Sequence, residues 1–393
     1  MKIIKIVLII LSISIIILIS NSFYNDYKKK HAKIEIQLVD NLNIEVYSKI
    51  KISDLIKKIN GKIIKNKEIN TKKLGPKTIK FSYINSEQIK ITYSFKINIV
   101  DTIPPVISDI DTININEGYN GNIENKVFCA DNYDKKPVCK IEGEYDINKK
   151  GKYNVLYKAK DSSNNTNEKQ ITINVEENKN NKTATATNFS DIYAKFKKKN
   201  TKIGIDVSYH QGDIDYQKVK EAGVEFVIIR VGYGKNSENK FVVDKKFKDY
   251  IKGFQTQNIP IGIYFFSYAE NKKEAIESAN FVQKQIKNYK IDLPIIFDWE
   301  NWSDFKEYHL SIHDVNEIAQ TFNKKLEEKG YKTMIYSSKN FIKYVWGENN
   351  YNIWVAHYNE NNNYEGIYKI WQICDDGKID GINGNIDIDI MYE

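Results

Sequence analysis

The sequence predicts an α/β protein in three parts: an apolar N-terminal helix, a middle of all-β modules, and a C-terminal half that forms an irregular β/α barrel. Three observations predict this. An uncharged run at 6–25 follows Lys2 and Lys5. Short β-like runs separated by turn residues fill 32–176, and from 202 onward apolar runs typical of buried strands alternate with helical segments. Because 41% of the residues are hydrophobic, a wholly disordered chain is excluded.

Residues 1–31 are predicted to be a signal anchor or a signal peptide. The uncharged run is near the length that spans a bilayer, about 20 residues. No A-x-A cleavage pattern follows it, which favours the uncleaved anchor over secretion after signal cleavage. On either reading the rest of the chain is expected outside the cytoplasmic membrane. In that setting Cys129 and Cys139 could form a small-loop disulfide, whereas Cys374 is expected to be a core thiol.

Two β modules are predicted next, at 32–100 and 101–176, with a linker at 177–201. The second module contains DTIPPVI at 101–107, ADN at 130–132, GKYNVLY at 151–157 and AKDSSNN at 159–165. These segments resemble the bacterial Ig-like domains of cell-surface proteins, and 32–100 resembles a degenerate first copy. The modules are expected to act as a spacer, with ligand binding as the alternative.

The charge is divided unevenly between the two halves of the chain. The net charge is +8, from 59 Lys+Arg against 51 Asp+Glu, and Arg230 is the single arginine. Residues 1–200 carry 35 lysines against 22 acids, whereas 201–393 carry 24 basic residues against 29 acids. Since proteins that read nucleic acid rely on guanidinium forks, no nucleic-acid partner is expected. The lysine-rich first half predicts diffuse attraction to anionic polymers or lipid headgroups.

Eight strand-like runs predict an irregular TIM-like barrel over 202–393. The last three runs follow one another too closely to be separated by full helices. The predicted strands are 203–207, 226–231, 259–267, 293–300, 332–337, 353–358, 368–374 and 386–391.

Acidic residues mark the predicted strand ends, where such barrels carry their chemistry. They are Asp206, Asp298, Glu300 and Asp387. Asp298 and Glu300 are two residues apart, so both side chains are expected on one face of the strand. Two close carboxylates raise one pKa, which leaves a proton donor beside an ionised neighbour. Glycosidic cleavage needs that arrangement.

The same half resembles the glycoside hydrolase family 25 lysozymes, or Chalaropsis-type muramidases. The two departures are Asp215-Tyr216, where the family usually has Asp-Trp, and Asp389, where Asn is common. The segments that carry the resemblance are GIDVSYHQG at 204–212, FVIIRVGYG at 226–234, GIYFFS at 262–267, LPIIFDWE at 293–300, WVAHY at 354–358, WQ at 371–372 and GNIDID at 384–389.

This resemblance implies hydrolysis of the β-1,4 bond between N-acetylmuramic acid and N-acetylglucosamine in peptidoglycan, without a cofactor. It implies that Glu300 is the general acid. Asp298 would stabilise the developing positive charge or orient the substrate acetamido group. Asp206 and Asp387 would hold the acid pair and the sugar. The candidates for stacking on sugar, each of which could equally pack the barrel, are Tyr264, Trp354, Tyr358 and Trp371.

Other readings of this half remain open. A catalytically inactive wall-binding or assembly protein would keep the fold without the activity. A chitinase is disfavoured because the D-x-x-D-x-D-x-E strand is absent. No metal site is expected: His309 and His313 are four residues apart, but no Glu adjoins the first, so the argument for zinc is weak. Arg230 could pair with a carboxylate at the mouth or form a structural ion pair.

Overall fold

The computed structural model describes residues 2–177, 187–235, 240–346 and 351–393, without the side chains of 2–12, 25 and 29. These residues fall into two compact units, Met1–Thr102 and Ile103–Glu393. The second unit contains both the second β module and the barrel.

The first unit contains one long helix, α1, followed by a β module. Helix α1 (Lys2–His31) covers the segment predicted as an anchor or signal peptide. Within the described part of the chain, no helix combines the length and apolarity needed to cross a membrane. The module forms a sheet in the order β2-β6-β5-β4 and a separate β1-β3 pair. Its strands are β1 (Ile36–Leu38), β2 (Asn43–Glu45), β3 (Ile56–Ile59), β4 (Gly61–Ile63), β5 (Gly75–Asn85) and β6 (Lys90–Val100).

The β module of the second unit repeats that strand order. Its four-stranded sheet runs β8-β12-β11-β10, with β8 parallel to β12 just as β2 is parallel to β6. Cys129 and Cys139, which the sequence left as a possible pair, form a disulfide. The strands are β7 (Val106–Ile107), β8 (Thr112–Asn116), β9 (Cys129–Ala130), β10 (Val138–Glu142), β11 (Gly151–Lys160) and β12 (Thr166–Glu176).

The predicted eight-stranded barrel is confirmed. The ring closes because its first strand, β13, pairs with both β14 and β21, and the short strand β15 is added to β14 outside the ring. As expected, the described residues 351–393 contain no helix. The strands are β13 (Thr201–Val207), β14 (Phe226–Tyr233), β15 (Val242–Val243), β16 (Ile261–Phe266), β17 (Ile295–Asp298), β18 (Thr333–Ser338), β19 (Ile353–Ala356), β20 (Ile370–Gly377) and β21 (Ile386–Tyr392).

Helices cover the outside of the barrel between its strands. The sequence predicts helical stretches near 217–222, 245–257, 272–287 and 312–329, and these correspond to α3, α4, α5 and α7. Sequence analysis did not predict α2, α6 and α8. The helices are α2 (Phe189–Phe196), α3 (Tyr216–Glu221), α4 (Phe247–Thr256), α5 (Lys272–Ile286), α6 (Trp302–Glu307), α7 (Ile312–Glu327) and α8 (Lys339–Phe341).

The last strand of the ring runs opposite to the others. Within the ring, which excludes β15, the pairs from β13 through β20 are parallel, whereas β21 is antiparallel to both β20 and β13. The beginning of β21 therefore lies at the edge where the other strands end, which we call the mouth. Asp387 is opposite Asp206 for this reason. The prediction of Asp387 at the C-terminal end of its strand was wrong, because the residue lies near the start of a reversed strand.

Alternate side chains of the strands point to different cores. Ile295 and Phe297 of β17 pack outward, in the large core shared with the helices. Ile296, between them, packs instead with Phe226 and Trp354 in a small core inside the barrel. Side chains with the inward phase of Ile296 line the barrel interior, and those closest to the mouth are polar.

The segment predicted as a linker contains part of the barrel. In α2 the side chains of Phe189 and Ile192 are buried, 2% and 8% exposed. The amide of Phe189 donates a hydrogen bond to the carbonyl of Lys378, at 2.8 Å. Residues 178–186 of the predicted linker lie outside the described residues. The barrel therefore begins before β13, with a helix that packs on its outer wall.

The second β module contacts the barrel beside α6 and α7. The amide of Ile312 donates to the carbonyl of Asp131 at 2.7 Å. Lys135 Nζ forms an ion pair with Asp314 Oδ2 at 2.8 Å. Ala130 is 1% exposed and belongs to the outer core of the barrel. These contacts hold the disulfide loop of the module against the barrel wall.

Candidate active site

A hydrogen-bond chain fixes Asp206 at the mouth. The carboxyl Oδ2 of Asp206 accepts from Nε2 of Gln372, at 2.8 Å. The amide oxygen of Gln372 accepts from the hydroxyls of Tyr336 and Tyr358, at 2.7 and 2.9 Å. Two donors on its oxygen fix the orientation of the Gln372 amide, so its NH2 group is directed to Asp206. Strands β13, β18 and β20 thus position one carboxyl together.

Three aspartates from β13 and β21 lie side by side. Asp206 is hydrogen-bonded through its side chain to both Asp387 and Asp389. The indole Nε1 of Trp354 donates to Asp389 Oδ1, at 2.8 Å. Burial, and then the charge of Asp389, raises the pKa of Asp206. Burial, and then the charge of Asp206, raises the pKa of Asp387 to about 9. Carboxyls this close cannot all ionise, so the group retains protons at neutral pH.

Asp298 and Glu300 lie at the end of β17, on the opposite face from Trp299. Trp299 is 1% exposed and packs edge-on against Phe305 in the outer core. Its carbonyl accepts from the hydroxyl of Ser337, at 2.9 Å. Asp298 is 3% exposed, and its Oδ1 has no hydrogen-bond partner among the described residues. Glu300 is less deeply buried and lines an open cavity of about 380 Å³.

The electrostatics of this pair leave protons on the site near neutral pH. Burial, and then the charge of Asp304, raises the pKa of Glu300 to about 7. Burial raises the pKa of Asp298 as well, and the charges of Glu300 and Asp206 add to the effect while Arg230 opposes it. The two carboxyls therefore titrate as a pair. Of the two, Glu300 is the one that the cavity exposes to a ligand.

Arg230 forms a structural ion pair, the second of its two predicted roles. Its Nε donates to Asp244 Oδ2 at 2.8 Å, and its Nη2 lies 2.8 Å from the same oxygen. The guanidinium also lies over the rings of Tyr209 and Tyr233, with centroid distances of 5.1 and 5.9 Å. Its charge acts on Asp298 from this fixed position.

The four predicted sugar-stacking residues have different environments. Tyr358 is 52% exposed at the rim, where a sugar can reach its ring. Tyr264 is half-buried and packs edge-on against Trp354, with centroids 6.3 Å apart. Trp354 is 2% exposed and lies 4.4 Å from the ring of Tyr336, so it forms the floor beneath the acids.

Trp371 does not lie at the mouth. It is 2% exposed on the outer face of β20, where its ring packs edge-on against Phe196 of α2 at 5.5 Å. Its Nε1 donates to the carbonyl of His357, at 2.8 Å. The stacking role predicted for Trp371 is wrong, because the neighbouring Gln372 takes the inward position on that strand.

Sequence analysis missed two acidic residues and one amide of the site. Asp304 lies in the first turn of α6, is 5% exposed and has a pKa raised to about 6, chiefly by burial. Asp389 was noted only as a departure from the resembling family. Gln372 was quoted in a motif without a role. The alternation of side chains along a strand could have indicated two of them. Asp389 is two residues from Asp387 and so shares its inward face, and Gln372 is adjacent to Trp371 and so points to the opposite face.

The C-terminal half of the chain is similar in sequence to known proteins. Residues 205–382 match the sequence profile of glycosyl hydrolases family 25. An autolytic lysozyme of Clostridium acetobutylicum is 28% identical over 198 residues, which are 48% of this chain and 56% of that protein. The chain thus spans about half the length of that relative. An uncharacterized protein of Escherichia coli, YegX, is 27% identical over 193 residues, 48% of this chain and 68% of that protein.

Solved structures that are similar to this chain include a spore cortex lytic enzyme and a family 25 glycosyl hydrolase. The spore cortex lytic enzyme SleM of Clostridium perfringens is 20% identical, with a TM-score of 0.44 over 50% of this chain and 68% of that chain. A family 25 glycosyl hydrolase from Bacillus anthracis is 22% identical, with a TM-score of 0.44 over 51% of this chain and 90% of that chain. The matched sequence profile therefore identifies residues 205–382, the greater part of the barrel, as a glycoside hydrolase domain of family 25.

Proposed function

We propose that this protein is an N-acetylmuramidase that cleaves the β-1,4 bond between N-acetylmuramic acid and N-acetylglucosamine in peptidoglycan. The observation that carries the proposal is Glu300, a carboxyl with a pKa of about 7 at an open cavity, paired with the buried Asp298. The family and the similarity to an autolytic lysozyme support peptidoglycan as the substrate.

Glu300 acts as the general acid in this reaction. Its carboxyl proton passes to the glycosidic oxygen as the bond from that oxygen to C1 breaks, and the leaving sugar departs as an alcohol. Water supplies the hydroxyl that ends on C1, and its remaining proton restores the carboxyl of Glu300. A pKa near 7 suits this role, because the group holds its proton at neutral pH and releases it readily.

Asp298 faces the positive charge that develops on the sugar. Its Oδ1, which has no hydrogen-bond partner in the described part of the chain, is positioned to accept a hydrogen bond from the substrate or to stabilise that charge. Arg230 favours the ionised form of Asp298, so the proton that the pair shares is held by Glu300 until it passes to the leaving sugar. Asp206 and Asp387 position the sugar from the other side of the mouth.

The proposal places the reaction outside the cytoplasmic membrane. The apolar run within α1 supports attachment to the membrane, with secretion after cleavage as the alternative. The lysine-rich first half supports contact with anionic wall polymers or lipid headgroups. The two β modules, which share one strand order, are proposed to be Ig-like. Membrane fractionation of the expressed chain, with detection of its intact N-terminus, tests the attachment.

The test of activity is the release of reducing sugar from purified peptidoglycan by the full chain. Wild type is expected to release it, and Glu300→Gln to lower the rate by about 10²- to 10⁴-fold. Glu307→Gln, an exposed carboxylate on α6, is the matched control and is expected to retain the wild-type rate. A wild-type chain that binds peptidoglycan without releasing sugar would instead indicate a catalytically inactive wall-binding protein.

A further inference from the structure

A second cavity lies where the disulfide loop of the second β module meets the barrel. It encloses about 390 Å³, which falls in the range of small-ligand sites. We call it the joint cavity. Its walls come from residues 122–139 of the module and 302–309 of the barrel. Its lining residues include Phe128, Lys135, Lys136, Trp302, Lys306 and His309.

The joint cavity adjoins the site of Glu300. Phe128 and Trp302 line both this cavity and the one that Glu300 lines. A molecule whose reacting bond lies at Glu300 can therefore extend a branch past these two rings. The site proposed above would bind a glycan, so the joint cavity receives whatever projects from that glycan.

The charges of the joint cavity favour an anionic branch. Among the lining residues that the structure describes, four side chains are basic, Lys135, Lys136, Lys306 and His309, and Glu124 is the one carboxylate. Lys135 is neutralised by Asp314, at 2.8 Å. Among the described residues, no ion pair involves Lys136 or Lys306, and both are exposed to solvent at the rim. Two uncompensated ammonium groups thus flank an apolar interior, which suits a short peptide with free carboxylates.

The walls of the joint cavity are held in place before any ligand binds. The disulfide closes the loop between Cys129 and Cys139. The hydrogen bond from Ile312 to Asp131 and the ion pair of Lys135 tie that loop to the start of α7. A rigid site loses less entropy on binding, which favours a specific subsite over a loose charged surface.

We propose that the joint cavity is a subsite for the acidic peptide that branches from the glycan of peptidoglycan. The β module is then part of the substrate site. This inference rests on the proposed function, and it assigns substrate recognition to a module that sequence analysis treated as a spacer.

The test compares two forms of one substrate, both freed of phosphate-containing wall polymers. One is intact peptidoglycan, and the other has had its peptides removed by an amidase. For the wild-type full chain we expect kcat/KM to be about tenfold higher on the peptide-bearing form, as charge-assisted contacts allow. Lys136→Glu combined with Lys306→Glu should remove that preference, mainly through KM, and leave the rate on the peptide-free glycan unchanged.

Lys287→Glu, the same charge change at an exposed position outside the joint cavity, is the matched control and should keep the preference. Equal wild-type kcat/KM on the two substrates would overturn the subsite, as would a double variant that loses rate equally on both. A preference that depends on phosphate-containing wall polymers instead of the peptide would overturn it too. Wild type inactive on both forms would contradict the proposed function itself, so the two failures are distinguishable.

Discussion

Replacing Asp304 by asparagine isolates one of the two causes that raise the pKa of Glu300. Asp304 is buried in the first turn of α6, four residues after Glu300. Its own pKa is about 6, so it is largely ionised where Glu300 titrates. The substitution keeps the shape of the side chain and removes a negative charge that opposes ionisation of Glu300.

The size of the effect follows from the structure. The pKa of Glu300 rises from an ordinary 4.5 to about 7, a difference of roughly 3 kcal/mol between its two protonation states. Burial is the larger cause and Asp304 the smaller, so Asp304 contributes less than half. We therefore expect Asp304→Asn to lower the pKa of Glu300 by about 0.5–1 pH unit.

The assay is the pH dependence of kcat/KM on peptidoglycan. The alkaline limb reports loss of the proton of the general acid, so it should move to lower pH in Asp304→Asn. Glu307→Gln removes a charge from the same helix that is not a cause of the shift at Glu300, and its alkaline limb should stay in place. An unmoved limb in Asp304→Asn, or one displaced to higher pH, would refute the assignment of that limb to Glu300.

Three further changes test other parts of the structure. Trp371→Ala should lower the free energy of unfolding by about 3–5 kcal/mol in urea melts while KM stays unchanged, because the ring packs the outer wall; a raised KM with intact stability would contradict that placement. Replacing Cys129 and Cys139 by serine should cost about 2.7 kcal/mol, from the entropy of a loop with a sequence separation of 10, and an unchanged melt would argue against the bond. Burial raises the pKa of Asp389, so the folded state binds more protons than the unfolded state. The free energy of unfolding therefore falls as the pH rises above the ordinary pKa of an aspartate. The free energy of unfolding of Asp389→Asn, measured in urea melts, should therefore increase relative to that of wild type between pH 5 and pH 8. A difference that does not change with pH would contradict the raised pKa of Asp389.

Sequence periodicity predicted the barrel because each buried strand leaves a separate apolar run. It also predicted that Asp298 and Glu300 share a face, since Trp299 between them takes the other. It did not predict strand direction. An alternating run such as β21 reads the same in a parallel or an antiparallel sheet, so the reversal that brings Asp387 beside Asp206 is visible only once the ring closes.

Periodicity also separates the two faces of a strand without telling which is the inner one. Trp371 and Gln372 are adjacent on β20, and the larger aromatic ring was the obvious candidate for sugar contact. In the barrel the smaller amide faces inward, because two tyrosine hydroxyls and the carboxyl of Asp206 satisfy its polar atoms. Trp371 instead fills the space beside α2, a helix within the segment predicted as a linker.

The central claim is that Glu300 is the general acid that cleaves the β-1,4 bond between N-acetylmuramic acid and N-acetylglucosamine. The most direct test is mass spectrometry of peptidoglycan fragments released by the wild-type chain and by Glu300→Gln. We predict new reducing ends that carry N-acetylmuramic acid with the wild type and almost none with the variant. New reducing ends on N-acetylglucosamine, cleavage confined to peptide bonds, or equal release by both proteins would contradict the claim.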